Sequence, residues 1–383
     1  MRNISCLLSG SITIILVLNL KSVHSIYTQN LVLTDIGQYN NDGHPVTLPL
    51  KEDLLFVADF EEGLIVLNIS GSTNPIEIGY FNAPQARGIE VVGDIAYLSC
   101  NVNGLRILNI SSLSHITEAG YYDASNAHEI ITRGNKGYLA NWYDGLEILN
   151  LTDPLHPVRL SRYDDSGYVF SASIIGDLAF VAEYTSGLKI LNISDSLNPA
   201  KISEFFDGGE AIKLQIVDNL LYVADKEDGL EIFDISNPAN PTKIGQFDND
   251  GRVVDIEVIN DIAYIADWDD VLEIVNISNP QNPVIIGQYG TDEFVNDVIV
   301  RKNIGYLASG EDGVKIVEIW EEEMSSSSSF SSSSSSLEDS SMLSSNGVTE
   351  TEKTPSFEFL LSLFSLPSIL IIRRKTRKLM KKR

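Results

Sequence analysis

Cysteine is nearly absent from this chain: Cys6 and Cys100 are the only two in 383 residues. That excludes a disulfide scaffold, the more so because Cys6 lies in a segment that reads as a removable leader. Basic residues are scarce as well. Lys and Arg number 27 against 53 Asp and Glu, a formal charge of −26. Phosphate contact needs a basic face, so no nucleic-acid partner is expected. Outside the leader the histidines are His44, His115, His128 and His156. No His or Cys cluster has metal-ligand spacing, and neither a G-x-S-x-G elbow nor a P-loop is present. Long apolar runs are missing too. What the chain does have is 43% hydrophobic residues, with 15 Tyr and 14 Phe, which suits a folded core rather than a disordered chain.

The two ends read differently from the middle. Residues 1–25 have a positive start at Arg2, an apolar stretch over 12–20 that is short for a membrane span, and a small-residue cleavage site at Val23-His24-Ser25. These are the marks of a signal peptide, with an uncleaved N-terminal anchor as the alternative. Residues 322–353 form a serine-rich stalk, with serine runs at 325–329 and 331–336. Such a segment cannot bury enough apolar area to fold, and as a flexible coil it would span about 30 Å. Residues 354–383 hold an apolar stretch over 357–372, then Arg373-Arg374-Lys375 and further basic residues. A basic cluster after an apolar stretch stays in the cytoplasm, so the chain before it is expected at the extracellular face of the cell membrane. As a helix the stretch would be roughly 24 Å long, short of the ~30 Å hydrocarbon core. Glu358 and Pro367 weaken it further. The layout resembles archaeal C-terminal sorting signals of the PGF type, which archaeosortases recognise. Thr354-Pro355-Ser356-Phe357-Glu358 stands in the place of the motif, with Ser356 where the family has glycine. Processing and retention as a tail anchor both hold the protein at an outer surface. Without the ends, residues 26–350 carry 16 Lys and Arg against 51 Asp and Glu, so the exported part is strongly acidic.

The middle, residues 26–321, is a sevenfold repeat. One phrase reads GLIVLNI at Gly63 and returns in related form at Gly104, Gly145, Gly187, Gly229, Val271 and Gly313. A second reads IGQY at Ile36 and returns at Ile78, Ala119, Leu160, Ile202, Ile244 and Ile286. A period near 42 is a blade or solenoid signature. In the fifth unit four strand-like runs are visible, over 212–217, 220–224, 230–235 and 243–247. The turn before the third ends in Gly229, as a hairpin needing positive φ would, and the turn after it is rich in Asn and Pro. Four antiparallel strands per unit make a β-propeller blade. The chain opens on a fourth-strand phrase and the repeats end on a third-strand phrase. The fold expected is therefore all-β, a seven-bladed β-propeller of four-stranded antiparallel blades. Its ring is closed by the N-terminal strand pairing into the last blade.

The units AYIAD at 263–267, LYVAD at 221–225 and IFDISNPANP at 232–241 resemble the LVIVD-repeat family over nearly all of residues 36–320. The resemblance implies a β-propeller at a cell surface and carries no catalytic set.

Positions that vary among blades are free to serve a ligand. The inner strands should line a central channel. At one ring level stand Val46, Arg87, His128, Phe170, Ile212, Val254 and Asn296; at the next, Thr47, Gly88, Glu129, Ser171, Lys213, Asp255 and Asp297. Further along, Leu50, Val91, Thr132, Ile174, Ile216, Val258 and Val300 are mostly apolar, which suggests a regular interior and an irregular mouth. The ligand-binding candidates are Arg87, His128, Glu129, Phe170, Lys213, Asp255, Asn296 and Asp297, since concave mouths with convergent polar groups are the usual ligand sites. Loops on the same face carry an acidic rim that includes Asp225, Asp228, Asp267, Asp269 and Asp270. No cofactor is assigned. Carboxylate oxygens would suit Ca²⁺ or another divalent cation, but no loop of the D-x-D-x-D-G type with a closing Glu is present, and a solvated acidic surface reads the same way. Trp142 and Trp268 occupy equivalent turns on that face, as contacts for a sugar or peptide or as ordinary surface packing. Sequons stand at Asn68, Asn109, Asn150, Asn192 and Asn276, all at one repeat position, where the fifth unit has Asp234. The exchange points to turn capping, with glycosylation open to an exported chain. His128 and Glu129 are adjacent, and strand neighbours point to opposite faces, so no catalytic set is assigned. The expectation is a monomeric propeller that binds an extracellular protein or polysaccharide and meets the membrane through its C-terminal segment. An extracellular hydrolase or lyase working at the channel mouth and a passive envelope component are the alternatives.

Overall fold

The computed structural model of the chain describes residues 31–321, apart from Asn41, Ser72, Asp165, Asp207, Asn249 and Asp270. The segments read above as signal peptide, stalk and C-terminal anchor or sorting signal, and Asp270 of the expected acidic rim, lie outside the described residues.

Each repeat folds into one antiparallel sheet, and the sheets number seven. Blade five shows the rule. Ala211–Val217, Leu220–Asp225, Gly229–Asp234 and Thr242–Phe247 follow one another from the inside outward. Gly229 adopts φ 83°, and a Cβ on it would overlap the carbonyl oxygen of Phe247, so the tight turn before the third strand requires glycine there. Blade one departs on its inner edge. Its first strand is split into Pro45–Thr47 and Leu50–Lys51, both paired to Leu54–Asp59. Pro45 and Pro49 have no N–H to give a ladder, which accounts for the break.

The ring closes as the phase of the repeat demands. Leu31–Tyr39 runs antiparallel to Val314–Glu321, from Leu31 opposite Glu321 to Tyr39 opposite Val314, and becomes the outermost strand of blade seven. Apolar residues alternate onto both faces of each sheet, so the core lies between the blades. Between blades one and two, for instance, Phe56, Leu64 and Val66 meet Ile89, Leu98 and Leu108. Across the closure, Leu55, Val57 and Ile65 of blade one meet Tyr306, Ala308 and Ile316 of blade seven.

The second sequence phrase has its own structural meaning. Every outer strand carries a β-bulge at the first residue of this phrase: Ile36, Ile78, Ala119, Leu160, Ile202, Ile244 and Ile286. A bulge sharpens local twist, which suits the outer edge of a propeller blade.

Candidate functional site

Inner strands meet at the axis, and at one end of the channel they enclose a cavity of ≈330 Å³. All eight candidates from the sequence, Arg87, His128, Glu129, Phe170, Lys213, Asp255, Asn296 and Asp297, line it, as do the other residues of the two ring levels. Several of these side chains also tie one blade to the next. Asp297 Oδ2 accepts a bond from Leu48 N at 2.7 Å, Asp255 Oδ2 accepts one from Val298 N at 3.2 Å, and Thr47 Oγ1 donates to Arg87 O at 2.6 Å.

A second set of residues reaches the cavity from the turns between second and third strands. Trp142, Tyr184, Lys226 and Trp268 all stand three residues before the third-strand phrase. Sequence reasoning singled out the two tryptophans but missed Tyr184 and Lys226. The same position holds Phe60 in blade one, so a column that is aromatic in four blades was the available signal. Trp142 and Tyr184 take φ values of 41° and 47°, a left-handed conformation that bulky residues rarely adopt. Bridges to the next blade hold them there. Val169 N donates to Trp142 O at 3.1 Å, and Tyr184 and Ala211 exchange bonds at 3.0 and 3.2 Å. Together with inner-strand residues they make an aromatic wall. The His128 and Phe170 rings lie 4.7 Å apart, Trp142 and Phe170 5.9 Å, and Phe170 stacks on Tyr184 at 5.1 Å. Tyr143 stacks on Trp142 at 5.0 Å and carries the wall outward into solvent.

Charge at the mouth is divided. Lys213 Nζ meets Glu129 Oε1 at 2.5 Å. Burial works against the Lys213 charge, but Glu129, Asp255 and Asp297 outweigh it and hold the ammonium above its usual range. Burial, then the neighbouring Asp297, pushes the Asp255 carboxyl well up. Burial, with Arg87 and Lys213 adding to it, pushes the His128 imidazole down to about 3. His128 is therefore neutral near pH 7 and a weak proton acceptor, which suits ligand contact better than general-base work. Five buried polar atoms around this wall have no partner: Arg87 Nε, His128 Nε2, Glu129 Oε2, Trp142 Nε1 and Ser171 Oγ. A buried unsatisfied group costs about 1–3 kcal/mol, and a ligand with matching donors and acceptors would recover that.

The remaining expectations fare unequally. Asp225 and Asp267 are 2% and 0% exposed, not displayed on a rim. Asp225 Oδ1 accepts backbone bonds from Glu210, Glu227 and Asp228, and Asp267 Oδ1 from Arg252 and Asp269. They cap the turns that shape the mouth. Asp228 and Asp269 are half-buried, and Asp269 pairs with Arg252 at 3.0 Å. The apolar level expected inside the channel packs between blades instead, with Val91, Ile174, Val258 and Val300 in the inter-blade clusters. Those residues lie three on from the second ring level, and strand alternation turns them to the other face. Two residues on, Glu90, Gln215 and Glu257 stay polar and bind Thr132, Val258 and Val300 of the following blades.

At the opposite end of the third strands, Asn68, Asn109, Asn150, Asn192 and Asn276 each accept a backbone N–H from the residue two further on at 2.9 Å, and Asp234 does the same at 2.8 Å. This is the turn-capping role that the Asn/Asp exchange implied. Among the described residues, no group of three or more His, Cys, Asp or Glu is placed to hold a metal ion, and no helix is long and apolar enough to cross a membrane.

A closed ring of seven four-stranded blades, with a ligand-sized cavity at one channel mouth, defines a seven-bladed β-propeller. The chain belongs to the LVIVD-repeat family: the family model for the LVIVD repeat matches residues 42–83, 84–124, 166–206, 208–249 and 250–291. Solved propellers share the fold at low identity. The Swd1 β-propeller domain of Myceliophteria thermophila superposes with a TM-score of 0.61 at 11% identity, covering 76% of this chain and 99% of that one. BamB from Moraxella catarrhalis gives 0.55 at 14%, covering 75% and 100%. No curated protein matches the sequence.

Proposed function

We propose that this protein is a binding module displayed at the outer face of a membrane, with the channel mouth as its ligand site. The reading is carried by the gathering of five unpartnered buried polar atoms beside an aromatic wall at one cavity. The location rests on the sequence of the ends: an export signal, a serine-rich stalk and an apolar segment followed by a basic cluster. The ligand in this reading is an extracellular polysaccharide or protein segment, held at the mouth by its polar groups and its aromatic wall.

The test is a titration panel of soluble oligosaccharides and peptides against the full chain and a Phe170→Ala variant. At least one ligand should bind and lose affinity tenfold or more in the variant. A panel in which every hit ignores the variant would move the site elsewhere. Protease treatment of intact native cells should digest the propeller, and protection there would remove the surface location.

A further inference from the structure

The internal symmetry of the propeller supplies a control for each unsatisfied group, and the comparison divides the mouth in two. In blades six, seven and one the polar side chains are used up. Trp268 Nε1 donates to Asn296 Oδ1 at 2.7 Å, Asn296 Nδ2 to Pro45 O at 2.8 Å, and Thr47 Oγ1 to Arg87 O at 2.6 Å. In blades two, three and four the equivalent positions are open. Trp142 Nε1 and Ser171 Oγ, the counterparts of Trp268 Nε1 and Thr47 Oγ1, have no partner.

Arg87 is the sharpest case. Arg106, Arg159, Arg162, Arg252 and Arg301 each pair with a carboxylate within 3.0 Å. Arg133 bonds a backbone carbonyl, Thr132 O, instead. Among the described residues, Arg87 is the arginine that lines the cavity, and it does so without an ion pair, against the Phe60 ring at 5.1 Å, its Nε buried and unpartnered. Burial lowers its hold on the proton, so the site keeps an uncompensated guanidinium at a desolvation cost.

Resting on the binding reading above, we propose that the open half of the mouth is a subsite for an acidic sugar, a hexuronate unit of a polysaccharide. Arg87 takes the ring carboxylate, since a guanidinium without a partner matches that group in charge and shape. The Trp142 indole N–H and the Ser171 hydroxyl donate to ring or carboxylate oxygens. Glu129 Oε2, whose sister oxygen already holds Lys213, accepts from a ring hydroxyl. Phe170, Trp142 and Tyr184 offer a flat apolar surface for the C–H face of the ring. A neutral sugar would leave Arg87 unpaired. A peptide carboxy terminus would also satisfy Arg87, but a sugar ring offers several hydroxyls at once to Glu129, Trp142 and Ser171, and a peptide is the competing arm of the test. At ≈330 Å³ the cavity is at the small end of ligand sites and suits a residue of a polymer rather than a folded partner.

Calorimetric titration of the full chain with galacturonate oligomers, galactose oligomers of equal length and a tyrosine-ended peptide tests this. The uronate should bind at least tenfold tighter than the neutral oligomer. Arg87→Gln should remove most of that difference, and Trp142→Phe, which keeps the ring but loses the N–H, should weaken the uronate several-fold. The wild-type comparison decides even if Arg87→Gln fails to fold. Equal binding of charged and neutral sugars overturns the acidic-sugar assignment while leaving a mouth site that Phe170→Ala still abolishes. Peptide binding that depends on Arg87, with the uronate silent, overturns the sugar class and keeps the anion anchor. No uronate binding at millimolar concentration overturns the inference, and the wider panel then decides the binding reading separately.

Discussion

Glu257 stands two residues beyond Asp255 on the inner strand Val253–Ile259 and accepts a backbone bond from Val300 N of the next blade. That bond favours its charged form, yet burial outweighs it, Asp297 adds repulsion, and the carboxyl is pushed up from 4.5 to about 7. A carboxyl raised in the folded state binds more protons there than in the unfolded chain between those two values. Stability from this group is therefore full below about pH 4.5 and lost as pH rises through 7. Asp59 and Asp225 are also raised by burial and act in the same direction. Glu257→Gln keeps an oxygen for Val300 N and removes the titration. It should stabilise by about 1–2 kcal/mol more at pH 8 than at pH 5, after discounting for partial exposure. Thermal melts of both proteins at the two pH values measure it, and an equal gain at both would rule the buried carboxylate out as the cause.

An outer strand gains its place by how closely it can approach the next blade. The residue after each bulge is glycine in five blades and serine in the third and fourth. A Cβ on Gly245 would overlap Pro280 O in the loop of blade six, and one on Gly120 would overlap Leu155 O. In the serine blades the hydroxyl reaches the equivalent carbonyl, Ser161 Oγ to Ser196 O at 2.6 Å and Ser203 Oγ to Pro238 O at 2.5 Å. The position is thus an inter-blade contact with two solutions, direct backbone approach or a hydroxyl bridge. Gly245→Ala offers neither and should cost about 1–3 kcal/mol, as overpacking against backbone does. Chemical denaturation reads it, and a cost below about 0.5 kcal/mol would mean the contact is slack. The repeat phrase announced this position plainly, as the glycine phrase announced the turns, because both recur seven times and packing leaves few residues that fit. The ring levels were legible for the same reason: inner strands that start in register bring equivalent residues to one height. The acids resisted. Asp225 and Asp267 share composition with the exposed rim, and only the fold shows that their carboxylates turn inward onto backbone N–H groups. The open half of the mouth was equally hidden, since whether Trp142 or Trp268 finds a partner depends on what the neighbouring blade places opposite.

The molecule as a whole depends on one strand borrowed from the start of the chain. Leu31–Tyr39 gives Val314–Glu321 its last hydrogen-bonded neighbour. It also packs into two inter-blade cores, Leu31 and Leu33 against that between blades six and seven, Ile36 and Tyr39 against that between seven and one. The backbone of Gly37 lies against Thr73 of blade one. Deleting residues 31–39 therefore loosens both neighbours of blade seven and leaves an unpaired edge strand, which is a template for pairing with another chain. Four partly buried apolar side chains contribute about 1.5 kcal/mol each. At roughly 2 °C per kcal/mol for a domain of this size, their loss corresponds to a fall of about 12 °C in melting temperature. The truncated chain should also self-associate, seen by analytical ultracentrifugation as larger species than the full chain forms at the same concentration. Restoring the contact without the native linkage, by supplying the nine residues as a separate peptide, should recover part of the lost stability in proportion to its concentration. A truncated protein that stays monomeric and melts where the full chain does would show that six blades and three strands suffice, and that the ring does not need its closing strand.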